Sequence, residues 1–218
     1  MKKLLIIVSL ISSMAVSAQD NLRLGVHFDP IIGWFSPKVR TIDRDGMRPG
    51  FTGGLLLEAY FHDNYAFATG ISIGMQGGNL VYSDSVSVIT GEEDRIWITP
   101  GTTVAYNLSY VTLPVSVKMK TNEIGYMTYF AQLGLTPQIN TGSRASSSDE
   151  NLKKDYVSKE INLVNLSFFF GAGIEYGIGG QTAITAGLFF HNGITDILSS
   201  NGYKATLNFV TIRMGVMF

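Results

Sequence analysis

The chain of 218 residues contains no cysteine, which removes disulfides and thiolate metal sites from consideration. Charge is scarce: Asp, Glu, Lys and Arg make up only 15% of the residues and the formal net charge is −1, so no basic field is offered to nucleic acid. Apart from Leu4 to Val16, no apolar run approaches the ~20 residues that a membrane-spanning helix needs. In their place stand 24 glycines and 11% aromatic residues, spread over segments in which apolar and polar side chains alternate.

The N-terminus has the form of a secretory signal: Lys2 and Lys3 precede the apolar run, which closes on Val16-Ser17-Ala18 before Gln19. This predicts a signal peptide over residues 1–18, cleaved after Ala18, and a mature domain over 19–218. With Lys2 and Lys3 removed, 14 Lys and Arg face 17 Asp and Glu, a net charge of −3.

Period-two alternation is strongest in Thr206 to Phe218. One face carries Thr206, Asn208, Val210, Ile212, Met214, Val216 and Phe218, and the other Leu207, Phe209, Thr211, Arg213, Gly215 and Met217. Similar alternation predicts strands near 22–35, 50–62, 65–81, 104–120, 125–140, 161–178 and 182–194, with 206–218 the last of eight. The connections alternate in length. Asp63-Asn64, Thr121 to Ile124 and Gly179-Gly180-Gln181 are short, whereas Ser36 to Pro49, Tyr82 to Thr103, Thr141 to Glu160 and Thr195 to Ala205 are long and polar. An even number of strands with short turns at one end and long loops at the other is the pattern of an outer-membrane barrel. The fold expected is therefore all-β, an eight-stranded antiparallel up-and-down transmembrane β-barrel, with both termini and the short turns periplasmic. The last strand should pair with the first.

Assigning faces tests this reading. The presumed lipid side holds residues such as Leu24, Val26, Phe28, Leu55, Phe67, Ile71, Val115, Leu133, Phe170 and Leu188, and no charge falls on it. Every charge within a strand falls on the other side: Arg23 and Asp29, Glu58, Lys118 and Lys120, Glu175, and Arg213, with His27 and His62 among them. Glu58, Lys118, Glu175 and Arg213 lie at similar distances from their periplasmic strand ends, about 15 Å up at ~3.3 Å per residue. They are expected to form one lumen charge network, with Arg23, His27 and Asp29 nearby. Because eight strands enclose a bore only wide enough for side chains, the network reads as a plug; a narrow pore for ions or small solutes is the rival.

Chemistry elsewhere is thin. His191 with Asp196, Ser199 and Ser200 would write a hydrolase-like trio near the external rim, the basis of a remote lipid-modifying reading. His27, Asp29 and His62 share the inward face, but His62 sits at the rim and no metal site is expected. No catalytic residue and no cofactor are expected. The loops differ in charge, +2 over Ser36 to Pro49 and −3 over Tyr82 to Thr103, which suits contact with lipopolysaccharide or with envelope proteins.

Tyr110-Val111-Thr112-Leu113-Pro114-Val115-Ser116-Val117-Lys118, the segment Gly171-Ala172-Gly173-Ile174-Glu175-Tyr176 and the closing strand resemble the PorT-like outer-membrane barrels of Bacteroidetes. The motif residues are Tyr110, Pro114 and Lys118. Pro114 in mid-strand predicts a local break or bulge. The resemblance implies a Gram-negative outer-membrane location and association with type IX protein secretion or another envelope apparatus, without supplying a catalytic residue. Phe218 resembles the terminal aromatic read by the barrel-assembly machinery, and the protein is expected to be a monomer.

Overall fold

The computed structural model describes residues 21–90, 95–149, 152–199 and 202–218. The expected signal peptide with its cleavage after Ala18, and Ser200 of the hydrolase-like trio, lie outside the described residues. The strands are β1 Leu22–Pro37, β2 Ile42–His62, β3 Tyr65–Tyr82, β4 Val86–Ile89, β5 Arg95–Ile98, β6 Thr103–Thr112, β7 Val115–Lys120, β8 Met127–Ser147, β9 Lys153–Tyr156, β10 Val164–Gly179, β11 Thr182–Gly193 and β12 Ala205–Met217.

Pairing is antiparallel throughout, and it closes into a ring: β1, β2, β3, the pair β6 and β7, β8, β10, β11, β12 and back to β1. β6 and β7 count as one ring member. Thr112 pairs with Ser72 and Val115 with Thr69, one continuous register interrupted only at Leu113-Pro114. Proline lacks the donor for the ladder, so Pro114 makes a break and no bulge. Eight members therefore enclose the lumen, and β12 closes on β1 with Val26 opposite Val216.

Register fixes the geometry. Passing from partner to partner, Arg23 leads to Glu58, Ala68, Ser116, Gly134, Phe169, His191 and Phe209, then returns to β1 at Gly33. The return lies ten residues along from the start, a shear number of 10. Eight strands with that stagger tilt by about 40°. Each residue then climbs about 2.5 Å, so an apolar band of ~25 Å takes only about ten residues per strand.

β2 and β8 have 21 residues each, about twice that requirement, and their surplus stands at the end away from the tight turns. The connection expected over Ser36 to Pro49 is mostly strand, leaving a turn over 38–41. That expected over Tyr82 to Thr103 holds the β4–β5 hairpin, and that over Thr141 to Glu160 holds the end of β8, β9 and a short 3-10 helix, Ser158–Glu160. Beyond the lipid band outward positions face water, so strands there lose the apolar alternation that marks them lower down.

The faces follow the expected sides within the band. Leu24, Phe28, Leu55, Phe67, Ile71, Val115, Leu133, Phe170 and Leu188 are exposed on the outside, whereas Asp29, Glu58, Lys118 and Glu175 are buried inside. Farther up, the inside itself turns apolar: Phe35, Ile42, Leu80, Val104, Tyr106, Leu108 and Leu207 form a packed core that fills the outer end.

Candidate functional site

The lumen is built in tiers. Nearest the tight turns, Lys118 on β7 projects between Glu58 on β2 and Glu175 on β10. Its Nζ donates to Glu58 Oε1 at 2.5 Å and also to Glu175 Oε1. Arg23 Nη1 donates to the other oxygen, Glu175 Oε2, at 2.8 Å, and Tyr60 OH donates to Glu58 Oε2 at 2.8 Å. Two bases and two acids neutralise one another, and each carboxylate oxygen has a donor. This matters because an uncompensated buried charge costs several kcal/mol. Below the cluster, Lys120 caps the Tyr60 ring at 4.1 Å, facing an open vestibule.

Above it lies an aromatic septum of Phe130, Phe169 and Phe189. Glycines on β10 and β11 make room for these rings. A Cβ at Gly173 would sit 2.5 Å from Phe130 Cζ, and one at Gly171 would sit 2.3 Å from Phe189 Cδ1. The Lys118 ammonium stands 4.4 Å over the Phe130 ring, and the Arg213 guanidinium 4.5 Å over Phe189. The septum is thus braced by a cation on each side.

Arg213 does not join Lys118. Its Nε donates to Asp29 Oδ2 at 3.2 Å, so the single expected network divides into two clusters separated by the septum. The reason is strand stagger. Phe28 pairs with Met214 and Ile31 with Thr211, which puts Asp29 opposite Arg213 at the Pro30 interruption. Equal distance from a strand end is not equal company in a sheared barrel. Arg23, expected nearby, is a full member of the lower cluster, while His27 and Asp29 belong to the upper one.

The upper cluster contains a Ser-His-Asp alignment drawn from two strands, with His27 and Asp29 on β1 and Ser72 on β3. His27 Nε2 lies 2.9 Å from Ser72 Oγ, and His27 Nδ1 lies 2.9 Å from Asp29 Oδ2. The second contact is short but poorly aligned, since Nδ1 makes no hydrogen bond of acceptable angle. The adjoining cavity has about 40 Å³, water-sized space without room for an acyl group and its leaving group. His27, Gln76, Tyr110, Thr136 and Thr211 line it, each with a buried polar atom lacking a protein partner. The trio is buried in the lumen beside this small cavity.

The rim trio written from sequence is not assembled. His191 is buried in the lumen, stacked between Phe209 at 4.2 Å and Phe169 at 5.0 Å between centroids. Asp196 instead pairs with Lys38 at 2.8 Å, and Ser199 Oγ donates to Lys159 O at 2.6 Å. His62 is exposed at the turn end against Tyr65, remote in register from His27. Among the described residues no three His, Asp or Glu side chains cluster as a metal site.

Of the motif residues, Tyr110 lines the cavity, Pro114 makes the strand break and Lys118 is the hub of the lower cluster. Thr69 Oγ1 donates to Pro114 O at 2.8 Å, a side-chain bond that bridges the interrupted ladder. Phe218 is exposed, and its N–H donates to Leu24 O at 2.7 Å.

The outer end closes the lumen a second time. Tyr82 and Tyr106 share a hydrogen bond of 2.6 Å between their hydroxyls, inside the apolar core. Burial pushes the Tyr82 hydroxyl up to about 12, and burial raises Tyr106 well above the ordinary range.

A closed antiparallel ring that turns apolar side chains outward and stores its charge inside defines a membrane-spanning β-barrel. The chain belongs to the outer membrane protein beta-barrel domain family, whose model matches residues 17–199, and this locates it in the outer membrane of Gram-negative bacteria. Solved barrels are similar in shape. Neisserial surface protein A is 13% identical with a TM-score of 0.49, covering 89% of this chain and 95% of that one. OprG from Pseudomonas aeruginosa is 12% identical with a TM-score of 0.41, covering 91% and 97%. Ail, the attachment invasion locus protein of Yersinia pestis, is 11% identical with a TM-score of 0.39, covering 91% and 99%. No curated protein matches the sequence significantly.

Proposed function

We propose that the protein is a non-conducting, non-enzymatic outer-membrane barrel that acts through its outer end as an envelope component, contacting lipopolysaccharide or protein partners there. One observation carries this reading: the bore is filled at two levels, by the charge clusters with their aromatic septum and by the outer apolar core, while the strands continue well beyond the lipid band. A rigid, plugged cylinder that projects from the membrane is suited to presenting a surface. In this orientation the tight turns and both termini are periplasmic, the leader is removed after Ala18, and the protein works as a monomer. The Tyr110, Pro114 and Lys118 strand supports placement among PorT-like barrels, and hence a role beside a type IX secretion apparatus.

Crosslinking in the native envelope with mass spectrometry tests the surface role. Crosslinks from the outer strands to a secretion or envelope protein are expected. A complete lack of protein crosslinks, together with steady single-channel conductance, would favour a narrow pore instead.

A further inference from the structure

The outer end carries a cleft of about 240 Å³ between the β4–β5 hairpin, the upper ends of β3 and β6, and the segment leading into β12. Four aromatic residues, Tyr82, Trp97, Tyr106 and Tyr203, line it together with Glu160, two serines and three aliphatic side chains, and no Lys or Arg lines it among the described residues. Tyr82 and Tyr203 meet edge to face, 5.4 Å apart at 78°, so their planes stand as adjacent sides of a box. The Tyr82 and Tyr106 hydroxyls satisfy each other and both rings are buried, so they form the floor of the cleft, while Trp97 and the half-buried Tyr203 carry the ring surface open to an occupant. One oxygen of Glu160, Oε1, accepts from Ile89 N at 3.1 Å, fixing the carboxylate at the cleft. Trp97 is 64% exposed on a hairpin far above the lipid band, where a bare indole is not explained by the membrane.

We propose that this cleft binds an organic cation, the alkylated ammonium head of a small molecule. Ring faces attract such a cation through the negative face of the quadrupole, and the attraction grows when the cation is partly desolvated. Glu160 adds the opposite charge and makes an anion unwelcome. A sugar would need more donors and acceptors than a carboxylate and serine hydroxyls provide. The proposal rests on the reading that this end faces the exterior.

The test is choline titrated into the full chain in maltoside micelles, which contain no ammonium group, with the emission of Trp97 read in a Trp34→Phe background. A saturable change is expected with choline and none with its neutral isostere 3,3-dimethylbutan-1-ol at matched ionic strength. Glu160→Gln keeps an acceptor for Ile89 N–H and should weaken binding about tenfold, a loss of ~1.4 kcal/mol. Tyr203→Ala should weaken it comparably. Failure to saturate, an equal response to the neutral alcohol, indifference to Glu160→Gln, or saturation by glucose instead would each overturn the proposal. Cleavage of the outer strands by protease added to whole cells reports the outward orientation separately, so loss of the cleft assignment is distinguishable from loss of that reading.

Discussion

Lys118 holds the lower tier of the lumen together because, among the described residues, it is the only cation that bonds both buried carboxylates there. Replacing it with Met, of similar length, leaves Glu58 and Glu175 facing each other with Arg23 bound to only one of them. Removing one partner of a buried pair typically costs ~3–5 kcal/mol, and Lys118→Met is expected to lose stability in that range by urea unfolding in lipid vesicles. A loss below ~1 kcal/mol would mean that water already screens the site. The septum sets a second residue-level limit. At Gly173 a methyl would meet Ala186 O at 2.3 Å as well as the Phe130 ring, whereas at Gly187 the nearest atom is 3.0 Å away and belongs to the Phe189 ring. Gly173→Ala should therefore cost ~1–3 kcal/mol or more through overpacking, and Gly187→Ala distinctly less. The same unfolding assay ranks the two, and a reversed order would show that the backbone at Ala186 yields more readily than the septum rings.

Among the elements, the outer extensions of β2, β3, β6 and β8 form a unit whose stability should depend on alkaline pH. Tyr82 titrates at about 12 in the fold against 10.0 unperturbed, because burial disfavours the phenolate. The neutral form stabilises the fold fully below pH 10, and that contribution is lost as pH rises from 10 toward 12. Absorbance at 295 nm should therefore show tyrosines that resist ionisation until the outer core loosens, with near-ultraviolet circular dichroism collapsing in the same window. Titration of every tyrosine near pH 10 with the circular dichroism intact would contradict the packing of Tyr82 against Tyr106. These extensions are also where the sequence was least legible. Within the lipid band, Leu24, Val26 and Phe28 alternate with Arg23, His27 and Asp29, and the period of two can be read directly. Over 38–48 and 141–147 the outward side meets water and the alternation fades, so strand looks like polar loop. The inward apolar positions, Ile42, Leu80 and Tyr106, belong to different strands and form a pattern only once paired. Lumen partners were legible to the same extent: Glu58, Lys118 and Glu175 could be brought together from strand position, but separating Arg213 from them required the shear. The septum was missed because Phe130, Phe169 and Phe189 are interpretable only against Gly171, Gly173 and Gly187 across the sheet.

For the whole molecule, the two fillings act in series, and a pore conducts no better than its tightest stretch. In a planar bilayer the native protein should give no steady conductance. Phe130→Ala with Phe189→Ala thins the septum, yet Phe35, Tyr106 and Leu207 still close the outer end, so this variant should remain silent. Phe35→Ala with Leu207→Ala loosens the outer core while Lys118, Glu58 and Glu175 stay locked below, and it too should remain silent. Only the four substitutions combined with Lys118→Ala, which releases the remaining lock between Glu58 and Glu175, should pass current, and heat-modifiable migration in gels would establish that each variant still forms a barrel. Current through either partial variant would place the whole seal at one level. Steady current through the native protein would overturn the plugged barrel itself, because apolar side chains with no exposed surface leave no path for a hydrated ion.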